Sequence, residues 1–92
     1  MESFADKLAV VTGGGTGMGR ELVIQLAAEG ASVATCDVNM DNLEEAAKLA
    51  REAASSSDVK ITTHVCDVSD ETQMFMFRDE VIAQHDTDYI NL

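Results

Sequence analysis

Short apolar runs alternate along the chain with stretches in which apolar residues recur at helical spacing. Lys7 to Val11 and Ala31 to Cys36 are such runs, and each predicts a buried strand, the first of them covered on both faces. Residues 59–66 are rich in β-branched types that alternate with polar ones, which predicts an edge strand with one half-wet face. Residues 88–92 resemble the opening of a fourth strand.

Three helices are predicted between these strands. The first covers about residues 17–29, and the second begins at Asp41, where Glu44 follows three residues later as in a capping box, and ends at residues 55–57. The third is capped at Ser69-Asp70 and fades near His85. The predicted inward residues are Met18, Leu22, Val23, Leu26 and Ala27 in the first helix, Leu43, Ala46, Ala47, Ala50 and Ala54 in the second, and Met74, Phe77, Val81 and Ile82 in the third.

The order of these elements predicts the fold class. Strands and helices alternate, with no proline and no internal repeat, so an α/β fold with a doubly wound parallel sheet, right-handed crossovers and helices on both faces is expected. Residues 1–92 would then form the N-terminal part of a single domain, truncated after or within the fourth strand.

Charge and composition exclude several function classes. Six basic and 17 acidic residues give a net charge of −11, which argues against nucleic-acid binding. Apolar runs such as Leu8 to Val11 are far shorter than the ~18 residues of a membrane span. The first residues lack the features of a secretory signal, and two cysteines are too few for a disulfide framework, so a cytoplasmic location is expected.

The glycine cluster after the first strand is the main candidate site. Thr12-Gly13-Gly14-Gly15-Thr16-Gly17-Met18-Gly19 lies between a predicted strand and a predicted helix, and five glycines in seven positions exceed what a plain turn needs. Glycines let the backbone turn sharply and approach a ligand, while the free N–H groups of a helix start carry partial positive charge. The cluster therefore predicts a site for a pyrophosphate.

Three known phosphate-binding patterns can be compared with this spacing. A P-loop fails because Arg20-Glu21 follows the last glycine, and the strict G-x-G-x-x-G fingerprint fails because Arg20 stands at its third glycine. G-x-x-x-G-x-G remains, as Gly13, Gly17 and Gly19, and serves a dinucleotide. The spacing of Gly15, Gly17 and Gly19 also resembles the S-adenosylmethionine loop of methyltransferases, although those enzymes usually have an acid where this chain has Thr12.

Two aspartates at predicted strand ends extend the site. Asp37 lies 18 residues after Gly19, near the interval at which an acid accepts hydrogen bonds from an adenosine ribose. Its carboxylate would repel a 2′-phosphate, and neither Thr16 nor Val38 supplies a compensating cation, so NAD is expected over NADP. The alternative is an ordinary surface carboxylate.

Asp67-Val68 ends the third strand as Asp37-Val38 ends the second. The carboxyl ends of parallel strands meet at one edge of the sheet, where ligands bind, and the Asp67 carboxylate there can accept from an adenine amino group. A helix-capping role for Asp67 is the alternative.

The remaining candidates are interpreted as structural. Cys36 and Cys66 lie on neighbouring predicted strands, within disulfide range, but are expected to be buried thiols. His64 and Cys66 are too few for a metal site, so no metal is expected. Arg20 either softens the field of an otherwise anionic protein or is a solvated helix residue, and the second interpretation is favoured.

Together, these motifs resemble the short-chain dehydrogenase/reductase family along the whole chain: the Thr12-Gly13-x-x-x-Gly17-Met18-Gly19 loop, Asp37, and the Asp67-Val68 pair. Met18 replaces the commoner isoleucine. The resemblance implies a Rossmann-like domain, an NAD cofactor, oxidation of a small alcohol or reduction of a ketone by hydride transfer, and a homo-oligomer in a full-length parent. The contact residues it implies are Gly13, Gly15, Thr16, Gly17, Met18, Gly19, Asp37, Val38, Asp67 and Val68.

The catalytic motifs of that family are not in these 92 residues. Members have an Asn-Asn-Ala-Gly motif after the fourth strand, then a catalytic Ser and a Tyr-x-x-x-Lys pair, whereas the one tyrosine here, Tyr89, has no lysine four residues later. The resemblance therefore implies the adenine-binding part of an oxidoreductase, with no turnover by this chain alone. A methyltransferase fragment and a non-catalytic nucleotide-binding fragment remain the alternatives.

Overall fold

The computed structural model describes residues 7–85. Its three strands are Leu8–Thr12 (β1), Ser32–Asp37 (β2) and Ile61–Val65 (β3), and its three helices are Gly17–Ala28 (α1), Met40–Ala53 (α2) and Glu71–Gln84 (α3). Strands and helices alternate in the predicted order. The fourth strand predicted over residues 88–92 lies outside the described residues.

The three strands form a parallel sheet in the order β1-β2-β3, with β2 in the centre. Leu8 pairs with Ser32 in the first ladder, and Val33 pairs with Ile61 in the second. The central strand carries four consecutive buried residues, because both of its edges are paired and both of its faces are covered. In β1, residues 8–10 are half-buried, so full burial of this strand is not observed in the described part of the chain.

Helices cover both faces of the sheet, as predicted. On one face α1 and α2 pack on β1 and β2 around Val23, Val33 and Ala47. On the other face α3 packs around Phe77 and Val81, which meet Ala34 of the central strand. These two clusters confirm the α/β, Rossmann-like doubly wound class. None of the helices described is long and apolar enough to cross a membrane.

The buried side of α1 differs from the predicted one. Val23 and Ala27 are fully buried, but Met18 is 90% exposed and Leu22 is 47% exposed. The inward line instead continues from Val23 back to Gly19, four residues earlier, whose backbone touches the loop after β1. A half-buried glycine therefore occupies the inward position in the first turn, and the apolar pattern could not identify it.

The start of α2 also lies earlier than predicted. Asn39 is the N-cap, and its side chain accepts a hydrogen bond of 3.0 Å from the Asn42 N–H. Asp41, which the predicted capping box had placed at the cap, lies in the first turn, where a negative charge suits the helix dipole. The helix ends at Ala53, two residues before the predicted end.

The polar side of β3, which the sequence predicted to be half exposed, is buried at His64. His64 is 3% exposed, because α3 covers this face, and its ring meets Phe77 edge-on with centroids 5.0 Å apart. Its Nδ1 lies 2.8 Å from Glu80 Oε1 and its Nε2 lies 3.0 Å from Thr62 Oγ1. The same Thr62 hydroxyl lies 2.6 Å from His85 Nε2 at the end of α3. This chain of polar contacts fastens α3 to the sheet.

The partial burial of His85 predicts a pH dependence of stability. Burial lowers the pKa of His85 below its ordinary 6.5, and the nearby Lys60 and His64 lower it further. His85 therefore binds a proton more readily in the unfolded chain than in the folded chain. The contribution of neutral His85 to the free energy of unfolding is complete above about pH 6.5 and is lost as the pH falls below it. Urea unfolding of the wild type and of His85→Gln from pH 8 to pH 5 measures it. The free energy of unfolding should fall more steeply in the wild type; equal slopes would contradict the prediction.

Candidate nucleotide-binding site

The loop between β1 and α1 has the backbone that its glycines predict. Gly13 has φ 70° and Gly17 has φ 60°, in the left-handed region that side chains rarely adopt. A Cβ at either position would meet nothing within 4 Å. The backbone at these two glycines therefore faces open space, which leaves room for a ligand to lie against it.

Two other glycines of the loop are required by close packing. A Cβ on Gly14 would lie 1.8 Å from Thr35 Oγ1, and a Cβ on Gly19 would lie 2.1 Å from the Gly13 carbonyl oxygen. The Thr35 hydroxyl is buried and donates to the Val11 carbonyl at 2.8 Å, so it cannot move away without losing that bond. The loop thus rests directly on β2 and on the first turn of α1.

The N-terminus of α1 keeps its backbone donors free. Its N-cap, Thr16, makes no side-chain hydrogen bond, and the first turn has no acidic residue. In contrast, Asn39 and Asp70 cap α2 and α3 with side-chain oxygens, and each of those helices has an acid in its first turn. Among residues 7–85, the N–H groups of residues 17–19 have no acceptor. The partial positive charge of this helix end is available to an anion.

Asp37 reaches this loop from the end of β2. Its Oδ2 accepts a hydrogen bond of 3.0 Å from the Gly15 N–H, and its Oδ1 accepts one of 2.7 Å from the Val38 N–H. A Cβ on Gly15 would lie 2.7 Å from Asp37 Oδ2, so the carboxylate lies directly against the glycine backbone. The structure therefore brings together two sequence-predicted parts of the site, the glycine loop and the first aspartate.

Arg20 is not the solvated helix residue that the sequence suggested. It is half-buried, its Nε donates to the Gly15 carbonyl at 2.8 Å, and its Nη2 donates to the Asn42 carbonyl at 3.3 Å. A signal was present in the sequence, because a cation in the first turn of a helix opposes the dipole and needs acceptors nearby. The partners, both backbone carbonyls, leave no trace in a residue pattern.

Asp67 and Val68 lie at the same edge of the sheet. Val65, the last residue of β3, pairs with Asp37, so Asp67 follows two residues beyond that pair. Its Oδ1 accepts from the Ser69 N–H at 2.9 Å and from the Ser69 hydroxyl at 2.7 Å, and these bonds lower the pKa of the exposed carboxyl. The cap of α3 is Asp70, not Asp67.

Val38 and Val68 present apolar surface at this edge. Val38 is 67% exposed and Val68 is 53% exposed, at the ends of neighbouring strands. Two exposed valines beside two aspartates are suited to a flat, partly apolar group with polar edges.

The two cysteines are free, buried thiols, as predicted. Cys36 pairs across the ladder with His64 rather than with Cys66, so the cysteines are offset by two residues instead of lying opposite each other. Burial, and after it the proximity of Cys66, raises the pKa of Cys36 to about 11. Burial also raises the pKa of Cys66. Cys36 contributes to the site through its carbonyl, which accepts from the Gly13 N–H at 2.8 Å and the Gly14 N–H at 3.2 Å.

No group of three or more His, Cys, Asp or Glu side chains suited to a metal ion occurs among residues 7–85. His64 and Cys66 share the face under α3, where the histidine nitrogens are occupied by Glu80 and Thr62.

Comparison with known proteins gives a consistent result. The sequence model of the short chain dehydrogenase family matches residues 7–90. Levodione reductase of Leifsonia aquatica is 42% identical over 71 residues, which cover 77% of this chain and 26% of that protein. The crystal structure of levodione reductase superposes with a TM-score of 0.82 at 36% identity, covering 88% of this chain and 31% of that one.

A second solved structure, that of NAD⁺-bound xylitol dehydrogenase, also has a TM-score of 0.82, at 32% identity over 90% of this chain and 30% of that chain. The sequence therefore spans between a quarter and a third of the length of these two proteins.

Proposed function

Because the chain belongs to the short-chain dehydrogenase/reductase family, we propose that residues 1–92 are the NAD-binding part of an oxidoreductase acting on an alcohol or ketone. The observation that carries this proposal is the hydrogen bond between Asp37 and the Gly15 N–H, since it unites a ribose acceptor with a diphosphate loop. The family match excludes the methyltransferase interpretation of the glycine spacing.

The described residues fit a dinucleotide. The free N–H groups of Gly17, Met18 and Gly19 would hold the diphosphate at the start of α1, above the open backbone of Gly13. Thr16 lies at the helix start with its side chain exposed and would border this group. The proposal thus assigns the diphosphate to backbone donors, which bind anions without a charged side chain.

The adenosine half would lie along the ends of β2 and β3. Asp37 and the adjoining Gly15 would face its ribose, Asp67 would accept from the adenine amino group, and Val38 and Val68 would contact the ring. Asp67 Oδ2 makes no hydrogen bond within the described residues, so it retains full capacity to accept.

NAD is proposed over NADP because the ribose position carries a negative charge. A 2′-phosphate would approach the Asp37 carboxylate, and the neighbouring side chains Thr16 and Val38 are uncharged. Arg20, the cation that follows the glycine loop, already donates to two carbonyls.

When bound, the nicotinamide ring of NAD would supply the hydride acceptor for the reaction. The chain's own residues bind and orient the adenosine half and hold the diphosphate. General acid/base residues of the family pattern are not among these 92 residues, so we propose that this chain alone gives no turnover and that the whole protein acts on a small alcohol or ketone. A homo-oligomer of the whole protein and a cytoplasmic location belong to the same proposal.

Ligand titration tests this assignment. Calorimetry with NAD, NADP and S-adenosylmethionine is expected to give the tightest binding for NAD, about tenfold or more tighter than NADP, since one repulsive charge contact is worth more than about 1.4 kcal/mol. Equal affinity for NAD and NADP would contradict the role of Asp37. Binding of S-adenosylmethionine alone would contradict the whole assignment.

A further inference from the structure

We propose that Arg20 is a positioning residue for cofactor selection: by bracing the Gly15 backbone it holds the Asp37 carboxylate where it accepts a ribose and rejects a 2′-phosphate. This inference rests on the proposed function and deepens it. The cofactor-binding residues inferred from the sequence do not include Arg20, whose side chain donates to two backbone carbonyls.

The geometry links three elements through one residue. Arg20 Nε donates to the Gly15 carbonyl at 2.8 Å, and the Gly15 N–H donates to Asp37 Oδ2 at 3.0 Å. Gly15 is therefore held at both its carbonyl and its amide, by α1 on one side and by the end of β2 on the other. The second bond of Arg20, to the Asn42 carbonyl at 3.3 Å, anchors the guanidinium to α2.

Contact distances leave little freedom at this point. A Cβ on Gly15 would lie 2.7 Å from Asp37 Oδ2 and 3.0 Å from Asn42 Cβ. The glycine backbone is thus confined between the carboxylate and the first turn of α2. A shift of Gly15 would move the N–H on which the orientation of Asp37 depends.

The type of side chain at position 20 matters for two reasons. A guanidinium is planar and presents several donors in fixed directions, so it can bond two carbonyls at once, which an ammonium on a flexible stem does poorly. In addition, no carboxylate lies within salt-bridge distance of Arg20 among residues 7–85, so its charge is not cancelled there. In a chain of net charge −11, this cation favours the diphosphate of either dinucleotide, so the NAD preference rests on the position of Asp37 and not on the charge of Arg20.

The hydrogen bonds from Arg20 to Gly15 and from Gly15 to Asp37 leave the Asp37 carboxylate able to accept hydrogen bonds from a ligand. Each carboxylate oxygen already accepts one backbone N–H, from Gly15 and from Val38, and each has a further lone pair. Two ribose hydroxyls can therefore donate to a carboxylate that is already oriented. Without Arg20 the Asp37 carboxylate would have to become ordered when the cofactor binds. This cost weakens the binding of NAD and reduces the discrimination against NADP.

Arg20→Met in the natural protein tests this inference, with Arg51→Met as the matched control. Arg51 also donates to a backbone carbonyl, that of Ile61 at 2.9 Å, but at the far end of α2. Calorimetric titration should show the dissociation constant for NAD rising about tenfold in Arg20→Met, with a smaller rise for NADP, so that the NAD preference narrows. Arg51→Met should leave both dissociation constants unchanged. Arg20→Lys should give a dissociation constant for NAD between those of the wild type and of Arg20→Met.

The amide resonance of Gly15 supplies a readout that needs no cofactor. In ¹H–¹⁵N spectra it should shift upfield in Arg20→Met, because the bond to Asp37 weakens, and should be unchanged in Arg51→Met. Equal losses of affinity for NAD and NADP in Arg20→Met, or an unchanged Gly15 amide resonance, would overturn the inference. A wild type that binds neither dinucleotide would overturn the proposed function instead. The Gly15 resonance would still test whether Arg20 holds the Gly15 backbone in place.

Discussion

Replacing Gly19 with alanine is expected to destabilise the protein by about 3 kcal/mol and to abolish NAD binding. The new Cβ would lie 2.1 Å from the Gly13 carbonyl oxygen and 2.8 Å from the Gly13 carbonyl carbon. Both are backbone atoms, so neither can rotate away as a side chain would. Relief requires α1 to move off the loop, which separates the free N–H groups of the helix start from the diphosphate position. Urea unfolding measures the first effect and calorimetric titration with NAD the second.

A substitution elsewhere on the same helix serves as the control. Glu21→Ala leaves the same alanine side chain at an exposed position of α1 and should change the free energy of unfolding by no more than about 0.5 kcal/mol. If Gly19→Ala were as stable as Glu21→Ala and bound NAD with unchanged affinity, the close contact between Gly19 and Gly13 would not be a determinant of this site.

The sequence predicted those features that depend on local pattern or on a general rule of parallel sheets. The central strand was identifiable from the apolar run Ala31 to Cys36, and the inward side of α3 from Phe77 and Val81, which are both buried. The meeting of Asp37 with the glycine loop followed from the rule that carboxyl ends of parallel strands share one edge. These features require no knowledge of specific side-chain partners.

Features that depend on a contact with one particular backbone atom could not be predicted in the same way. The apolar spacing placed Met18 and Leu22 inward, whereas the approach of Gly19 to Gly13 turns α1 so that both side chains are exposed. Likewise, the Asn42 carbonyl that binds Arg20 lies 22 residues away along the chain. Residue types carry no information about such carbonyl partners.

The burial of His64 was missed for a different reason. Alternation along β3 separates its two faces correctly, but it does not say which helix covers each of them. Because α3 covers the face of His64, this polar residue is buried with Glu80 and Thr62 as partners, while Val65 on the apolar side is 54% exposed. Pattern alone assigns the alternating residues to two faces, and tertiary packing decides their burial.

Asp37→Ser is expected to reverse the cofactor preference. The variant removes the charged acceptor of the ribose hydroxyls, and hydrogen bonds to a charged group contribute about 1.5–3 kcal/mol, so NAD affinity should fall about 10- to 100-fold. It also removes the charge that would repel a 2′-phosphate, so NADP should bind more tightly than it does to the wild type. Calorimetric titration with both cofactors measures the two constants independently of any turnover.

Asp41→Ser separates this local effect from a general change in charge. Asp41 is exposed in the first turn of α2, so its replacement changes the net charge by the same amount without touching the Gly15 N–H. A purely long-range effect of charge would alter NADP affinity similarly in both variants, and that result would refute the assignment of Asp37. Reversal in Asp37→Ser alone would instead locate the discrimination at the end of β2, where among residues 7–85 a carboxylate contacts the glycine backbone.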